Sequence, residues 1–257
     1  MSVTSLQPLV SIITPCYNAV QTIQETISSV KGQTYTNWEL LIVDDCSHDE
    51  SSAILMAEVE NDERIYYTVL NQNVGAAGAR NEALRMARGK YIAFLDSDDL
   101  WHPEKLSKQV AFMEQHALSF SFTNYRIIKE DGERTERVVV GPETIDFEYL
   151  LKNTIIGTLT VMLNTELVGP IKMTSVRDCT EDFALWLSIL RKGITAVKLD
   201  EELAYYRKSS QSDSGNKLKS AKKTWNTYRK TQGLPFIRTL WYFSHYSINA
   251  YRKHARI

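Results

Sequence analysis

Tyr91-Ile92-Ala93-Phe94-Leu95-Asp96-Ser97-Asp98-Asp99 is the stretch on which the fold of this chain turns. Five apolar residues in a row suit a strand buried on both faces. Three carboxylates within the next four positions are electrostatically expensive, because like charges that close raise one another's pKa or recruit a cation. Alternation along a strand points Asp96 and Asp98 the same way. The usual recruit is a hard divalent ion, Mg²⁺ or Mn²⁺, held by one or two carboxylates and by the oxygens of a phosphate substrate.

Working outward toward the N-terminus, strand-like and helix-like patterns alternate. Leu9–Thr14, Trp38–Val43, Arg64–Leu70 and Lys90–Leu95 read as strands, and Val20–Val30, Glu50–Glu60 and Ala76–Ala87 as helices. Short apolar runs joined by helices of this length predict right-handed crossovers and a mostly parallel, Rossmann-like sheet covered on both faces, an α/β fold. Ligands bind such sheets at the carboxyl ends of the strands. Three strand ends are polar: Thr14-Pro15-Cys16-Tyr17-Asn18, Asp44-Asp45-Cys46-Ser47 and Asp96–Asp99. Gly75-Ala76-Ala77-Gly78-Ala79-Arg80 opens the helix before the fourth strand, where small residues admit a ligand and a helix N-terminus favours phosphate. Arg80 can add a charge-assisted hydrogen bond.

Toward the C-terminus the pattern loosens. Glu104–His116 reads as a helix, Ser119–Tyr125 and Thr135–Val140 flank a hairpin signal at Asp131-Gly132, Leu159–Leu163 is strand-like, and Thr180 suits the N-cap of a helix over Glu181–Leu190. Two further helices, Leu218–Lys230 and Phe236–Arg252, are broken by Gly233-Leu234-Pro235 after a polar stretch at Ser209–Ser212. The pattern thus divides the chain into an alternating half over 1–100, a looser half of the same domain over 101–213, and a helical tail over 214–257. The net charge of −1 conceals an asymmetry: the tail holds ten Lys/Arg, eight aromatics and no Asp/Glu, and the rest carries 20 Lys/Arg against 31 Asp/Glu. On a helical wheel Ile237, Leu240, Trp241, Ile248 and Tyr251 share about a third of the circumference, with Arg238, His245, Asn249 and Arg252 on the adjoining flank. A basic, aromatic, amphipathic tail fits an anionic lipid surface better than nucleic acid. Packing on the globule, or on a second subunit in a homodimer, is the competing role for it. Three cysteines without a Cys-x-x-Cys pair, no basic n-region before Leu9–Ile13 and no long apolar segment imply a cytoplasmic protein, peripheral on the inner face of the cytoplasmic membrane.

Each motif alone has an ordinary explanation. Asp-Asp after a strand caps helices, and acids in a first helical turn complement the helix dipole. The chain has neither the Gly-x-Gly-x-x-Gly fingerprint after its first strand nor a Gly-x-x-x-x-Gly-Lys-Ser/Thr phosphate loop. Three polar strand ends in order are harder to explain by capping. With Val10–Asn18, Gln33-Thr34-Tyr35, Trp38–Ser47, Asn73-Val74-Gly75, Ala79-Arg80-Asn81 and Asp96–Asp99, the chain resembles family 2 glycosyltransferases of the GT-A fold over roughly residues 8–208. Cys46 stands where that family usually has Gly. Asn153–Gly157, Trp186–Ile189 and the basic tail are similar to bacterial enzymes of teichuronic acid and O-antigen assembly.

The resemblance implies an inverting, metal-dependent transfer of a hexose, glucose or galactose or their N-acetyl forms, from a UDP-sugar to a sugar on a polyprenyl diphosphate. It makes 1–100 the nucleotide-sugar-binding half and 101–213 the acceptor half. It implies that Thr14, Pro15 and Tyr17 line the uracil pocket, that Asp45 with Asp44 beside it accepts the uracil N–H, and that Gly75 and Arg80 lie near the nucleotide. Asp96 and Ser97 then face the ribose, and Asp98, assisted by Asp99, takes Mn²⁺ or Mg²⁺. The general base falls in Glu181-Asp182, with Asp182 preferred. A nucleotidyltransferase would want a Gly-rich first loop and a basic residue after strand one, which Thr14–Asn18 does not supply. A non-catalytic nucleotide-sugar-binding subunit is the alternative of a different class.

Overall fold

A computed structural model describes residues 7–208 and 217–255. The first part follows the alternation: β1 (Val10–Cys16), α1 (Ile23–Lys31), β2 (Trp38–Asp44), α2 (Ser51–Asn61), β3 (Ile65–Val69), α3 (Ala76–Met86) and β4 (Tyr91–Phe94). β1 pairs in parallel with β2 and β4, and β2 with β3, so all four strands end on one side. Alternate side chains feed two layers of core. Ile12, Leu40, Ile42 and Ala93 face Ile23, Ile27 and Val30 of α1, whereas Ile13, Leu41, Ile92 and Phe94 face Ala79 and Ala83 of α3. The small residues of α3 let it lie close on the sheet.

The second part continues with β5 (Leu100–Trp101), α4 (Lys105–Gln115), β6 (Phe120–Ile128), β7 (Arg134–Val139), β8 (Thr144–Ile145), α5 (Phe147–Lys152), a 3₁₀ turn (Thr158–Thr160), β9 (Met162–Asn164), α6 (Thr165–Val168), α7 (Glu181–Leu190) and β10 (Ala196–Arg207). All ten strands join one sheet in the order β3-β2-β1-β4-β9-β6-β10-β5, with β7 on β6 and β8 on β10. The parallel arrangement predicted for the sheet holds for β3-β2-β1-β4 and for β6 with β10. The short β9 runs antiparallel to both β4 and β6 and joins the two blocks. The hairpin at Asp131-Gly132 is tighter than the predicted arms suggest, because β6 extends to Ile128 and Gly132 takes φ 85°.

Sequence patterning does not reveal β10. Lys198, Asp200, Glu201 and Glu202 interrupt its apolar run, and two register shifts against β6, around Glu202, break the alternation that marks a strand.

The tail forms α8 (Lys217–Asn226), a π-helical turn (Thr227–Thr231) and α9 (Phe236–Ala255), and Gly233 at φ 62° makes the break between them. The predicted linker Ser209–Ser212 lies outside the described residues, as do the side chains of Tyr251 and Arg252. One face of the tail packs on the globule. Tyr228 is fully buried and donates to Leu151 O at 2.5 Å, Tyr242 donates to Glu148, and Asn249 Nδ2 donates to Lys152 O at 3.2 Å. The opposite face of α9 is left uncovered, with Ile237 81%, Leu240 53%, Trp241 48% and Ile248 49% exposed. Among the described residues no helix is long and apolar enough to cross a membrane.

Candidate active site

At the carboxyl ends of β1, β2 and β4 lies a cavity of about 510 Å³, a size suited to a small-molecule ligand. Its lining includes Pro15, Tyr17, Asp45, Gly75, Arg80, Asp96, Ser97 and Asp98, so most of the predicted nucleotide site converges there. Tyr17 is 47% exposed, with an aromatic face free to stack. Asn18 and Asn73, which stand in the motifs without an assigned role, also line it, as does Thr22, which no motif contains.

Adjacent acids in the motifs have different surroundings. Asp45 accepts the backbone N–H groups of Val74 and Gly75, both at 2.7 Å. These two amides precede the first turn of α3, so Asp45 pins the loop that leads into the helix. Gly75 caps that helix at φ 83°, a conformation open to glycine. Asp44 is fully buried away from the cavity. Its oxygens accept Ser47 N and Oγ, Ser52 Oγ and Tyr67 OH. It therefore shapes the turn rather than meeting a ligand. Cys46, where the resemblance expects Gly, sits at φ 67°, the left-handed region in which glycine carries no penalty. Thr14, expected to line the pocket, is 1% exposed and absent from the cavity lining, and its buried Oγ1 has no hydrogen-bond partner among the described residues.

Residues 96–99 form a turn and not a continuation of β4, which ends at Phe94. Strand alternation therefore does not explain the shared direction of Asp96 and Asp98. The turn does, closed by Asp99 N donating to Asp96 O at 3.1 Å. Its carbonyls are held from outside. Ser97 O accepts Thr22 Oγ1 and Thr26 Oγ1, Asp99 O accepts Thr26 Oγ1, and Asp98 O accepts Arg207 Nε at 2.8 Å. Arg207, at the end of β10, also donates its backbone N–H to Asp99 Oδ1 at 2.9 Å and Nη2 to Glu25 at 2.6 Å. Asp99 is 2% exposed and absent from the cavity lining, a placement that contradicts its expected role beside Asp98 as a metal ligand. Burial and its acidic neighbours push its carboxyl well up.

Asp98 differs. Its carboxylate faces the cavity, and among the described residues no other side chain donates to it. Burial, then Asp96, raises its pKa to about 6, against the opposing pull of Arg207 and Arg80. The described residues contain no group of three or more His, Cys, Asp or Glu arranged to hold a metal. One free carboxylate matches the way Mg²⁺ or Mn²⁺ is held jointly by a protein oxygen and substrate phosphates.

Arg80 is 5% exposed and spans the site. Nη2 pairs with Asp96 at 2.5 Å and Nη1 with Glu181 at 3.2 Å. Burial opposes its charge, but Asp96 and Glu181 outweigh that and hold it protonated. Both ends of the guanidinium are engaged, so it organises carboxylates rather than waiting for phosphate. Glu181 and Asp182 open α7, whose N-cap residue Thr180 makes no side-chain cap. Asp182 Oδ2 instead accepts Thr158 Oγ1 at 2.5 Å. Glu181 is thus committed to an arginine, whereas Asp182 takes one hydroxyl on Oδ2 and the Phe183 backbone N–H on Oδ1 at 2.6 Å. Neither Thr158 nor Arg207 has a motif around it. Both reach the site through tertiary contacts that no local spacing encodes.

The model for Glycosyl transferase family 2 matches residues 11–169. Over 250 residues the chain is 47% identical to TuaG of Bacillus subtilis strain 168, assigned by name to teichuronic acid biosynthesis as a glycosyltransferase (97% of this chain, 99% of TuaG). It is 42% identical over 248 residues to WfgD of Escherichia coli, a UDP-Glc:α-D-GlcNAc-diphosphoundecaprenol β-1,3-glucosyltransferase (96% and 95%). Among solved structures, Staphylococcus aureus TarS in complex with UDP-GlcNAc superposes with a TM-score of 0.72 at 20% identity, covering 92% of this chain and 71% of that one. A mannosyltransferase from Pyrobaculum calidifontis with GDP-Man and Mn²⁺ superposes with a TM-score of 0.69 at 15% identity, covering 98% and 76%.

Proposed function

The chain belongs to glycosyl transferase family 2 and is a glycosyltransferase, and from that premise we propose that it moves glucose from UDP-glucose to a sugar on a polyprenyl diphosphate, with inversion at the anomeric carbon. The observation that carries this reading is the division of labour among the acids. Asp98 stands free on the donor cavity, whereas Asp182 stands free of Arg80 at the start of α7. An inverting transfer needs both, one on the leaving diphosphate and one on the acceptor hydroxyl.

Tyr17 stacks on the uracil, above Thr14 and Pro15. Asp45, with a lone pair left on each oxygen, accepts the uracil N–H. Asp96 and Ser97 face the ribose, and Arg80 keeps Asp96 in place. When bound by Asp98 together with the diphosphate, Mn²⁺ or Mg²⁺ supplies charge neutralisation for the departing UDP. Asp182 accepts the proton of the acceptor hydroxyl as that oxygen attacks the anomeric carbon and the bond to UDP breaks. Thr158 orients Asp182 for this. From an α-linked donor the product is β-linked. The acceptor's lipid places the reaction at a membrane surface, and the outward stripe Ile237, Leu240, Trp241 and Ile248 of α9 fits the headgroup region of an anionic leaflet.

UDP release from UDP-glucose with Mn²⁺ or Mg²⁺, with and without a lipid-diphosphate-linked GlcNAc acceptor, tests the proposal. Acceptor-dependent release that D98A and D182N both lose supports it. Release that is indifferent to the acceptor, or that survives D98A, counts against it.

A further inference from the structure

The tail grips the acid-bearing end of α7 as well as its flank. Thr227, at the start of the π-helical turn, is fully buried. Its Oγ1 accepts the Thr180 backbone N–H at 3.0 Å and donates to Lys223 O at 2.9 Å. One residue earlier, Asn226 Nδ2 donates to Asp178 O at 3.1 Å. Asp178 sits at φ 59°, in the left-handed region that few residues other than Gly, Asn and Asp adopt. Such a conformation persists where its surroundings hold it. The next tail residue, Tyr228, packs its ring 6.0 Å from that of Phe183, which follows Asp182 directly. Where the turn ends, Gln232 Nε2 donates to Ala184 O at 3.2 Å and Arg191 Nη2 donates to Gln232 O at 2.8 Å.

The residues leading into Glu181-Asp182 and those leaving it are therefore held by one short piece of tail. That piece departs from α-helical geometry at the point of contact, and π-helical turns often mark functional sites. Thr180 offers α7 no side-chain cap, so the direction in which the helix starts is set from outside.

The geometry points to the π-helical turn as a positioning element for the general base. Thr227 and Asn226 fix the direction in which Asp182 leaves the N-terminus of α7. The inference rests on the reading of Asp182 as the base, and it gives the tail a role separate from lipid binding.

The test uses the full chain, UDP-glucose and a water-soluble short-chain alkyl-diphosphate GlcNAc acceptor, for which a membrane tether contributes nothing. T227V removes the hydroxyl and keeps the shape. It is expected to lower kcat about tenfold or more while KM for UDP-glucose is unchanged, with T227S restoring the rate. N226A, whose side chain is only half-buried, is expected to give a smaller loss of the same kind, and it carries the test if T227V fails to fold. The inference is overturned if kcat of both variants stays within about twofold of the parent, or if T227V loses rate while T227S does not recover it and N226A is unaffected. D182N in the same assay separates the two readings: if it keeps its turnover, the base assignment fails whatever T227V does.

Discussion

Asp182 and Glu181 are neighbours in sequence with different partners, and the difference predicts different kinetics. Replacing Asp182 with Asn removes the proton acceptor and leaves both ion pairs of Arg80 in place. Steady-state assays of D182N should show kcat lowered about 10²–10⁴-fold with donor KM unchanged. E181Q weakens the ion pair with Arg80, which also holds Asp96, so donor KM should rise while kcat falls less. Equal effects of the two on kcat alone would contradict this assignment. A second residue-scale prediction concerns Lys105. It is fully buried on α4, with Nζ donating to Gln109 Oε1 at 2.8 Å and lying 4.1 Å from the Trp101 ring centroid. Burial pulls its pKa from 10.5 down to about 7. Below pH 7 the ammonium is charged in both states and the burial cost is felt in full. Above that, the folded chain releases the proton while the unfolded chain keeps it until near pH 10.5, so this group makes stability rise with pH across that window. Urea unfolding at pH 6.5 and pH 9 should show a smaller rise in K105M than in the parent. The family resemblance put Asp45 and Asp98 first in their pairs, but it kept Asp44 and Asp99 beside them in the same work. Asp98 rather than Asp99 meets the cavity because Thr22, Thr26 and Arg207, distant in the chain, hold the 96–99 turn, and Asp44 is turned away from it by Ser47, Ser52 and Tyr67.

At the scale of elements, what was legible follows from periodicity. β1 to β4 and α1 to α3 alternate cleanly because β1, β2 and β4 are buried on both faces, β3 closes the edge half-buried, and each helix is packed on one face. β10 was not legible, although it is central to the second half, because its bulged middle carries charged side chains that pair at its edges, such as Glu202 with Arg126 at 2.6 Å. The strand expected over Leu159–Leu163 begins only at Met162, and Leu159 and Thr160 belong to the 3₁₀ turn Thr158–Thr160. It is fixed by Trp101 Nε1 donating to Leu159 O and Gln109 Nε2 donating to Thr160 O, both tertiary contacts. α9 was read as an amphipathic helix and is one, with its two faces put to different uses. The buried face meets α5, and the outward face is apolar. Joint substitution of Ile237, Leu240 and Trp241 by Ser should leave UDP release from a water-soluble acceptor unchanged and reduce flotation with vesicles containing anionic lipid. Unchanged flotation would remove the lipid surface as the partner of this face.

The whole molecule is one sheet whose two halves share a core. Trp186 of α7 is 1% exposed and sits 5.4 Å, centroid to centroid, from both Phe94 of β4 and Phe120 of β6, so it ties the donor half to the acceptor half. W186A should destabilise the protein by about 3–5 kcal/mol and lower the midpoint of a single cooperative transition. W186F should cost far less, since the indole N–H it removes has no partner. Two separate transitions in W186A would show that the halves fold independently. At this scale the charge asymmetry also acquires a place, because the acidic globule carries the site and the basic tail carries both the outward apolar stripe and the turn that holds α7. The central claim is a single inverting displacement between a donor held by the strand ends and an acceptor hydroxyl at α7. Its most direct test is the anomeric configuration, by NMR, of the disaccharide formed from UDP-glucose and a GlcNAc diphospholipid. A β-linked product is predicted; an α-linked product would contradict the mechanism and the role given to Asp182.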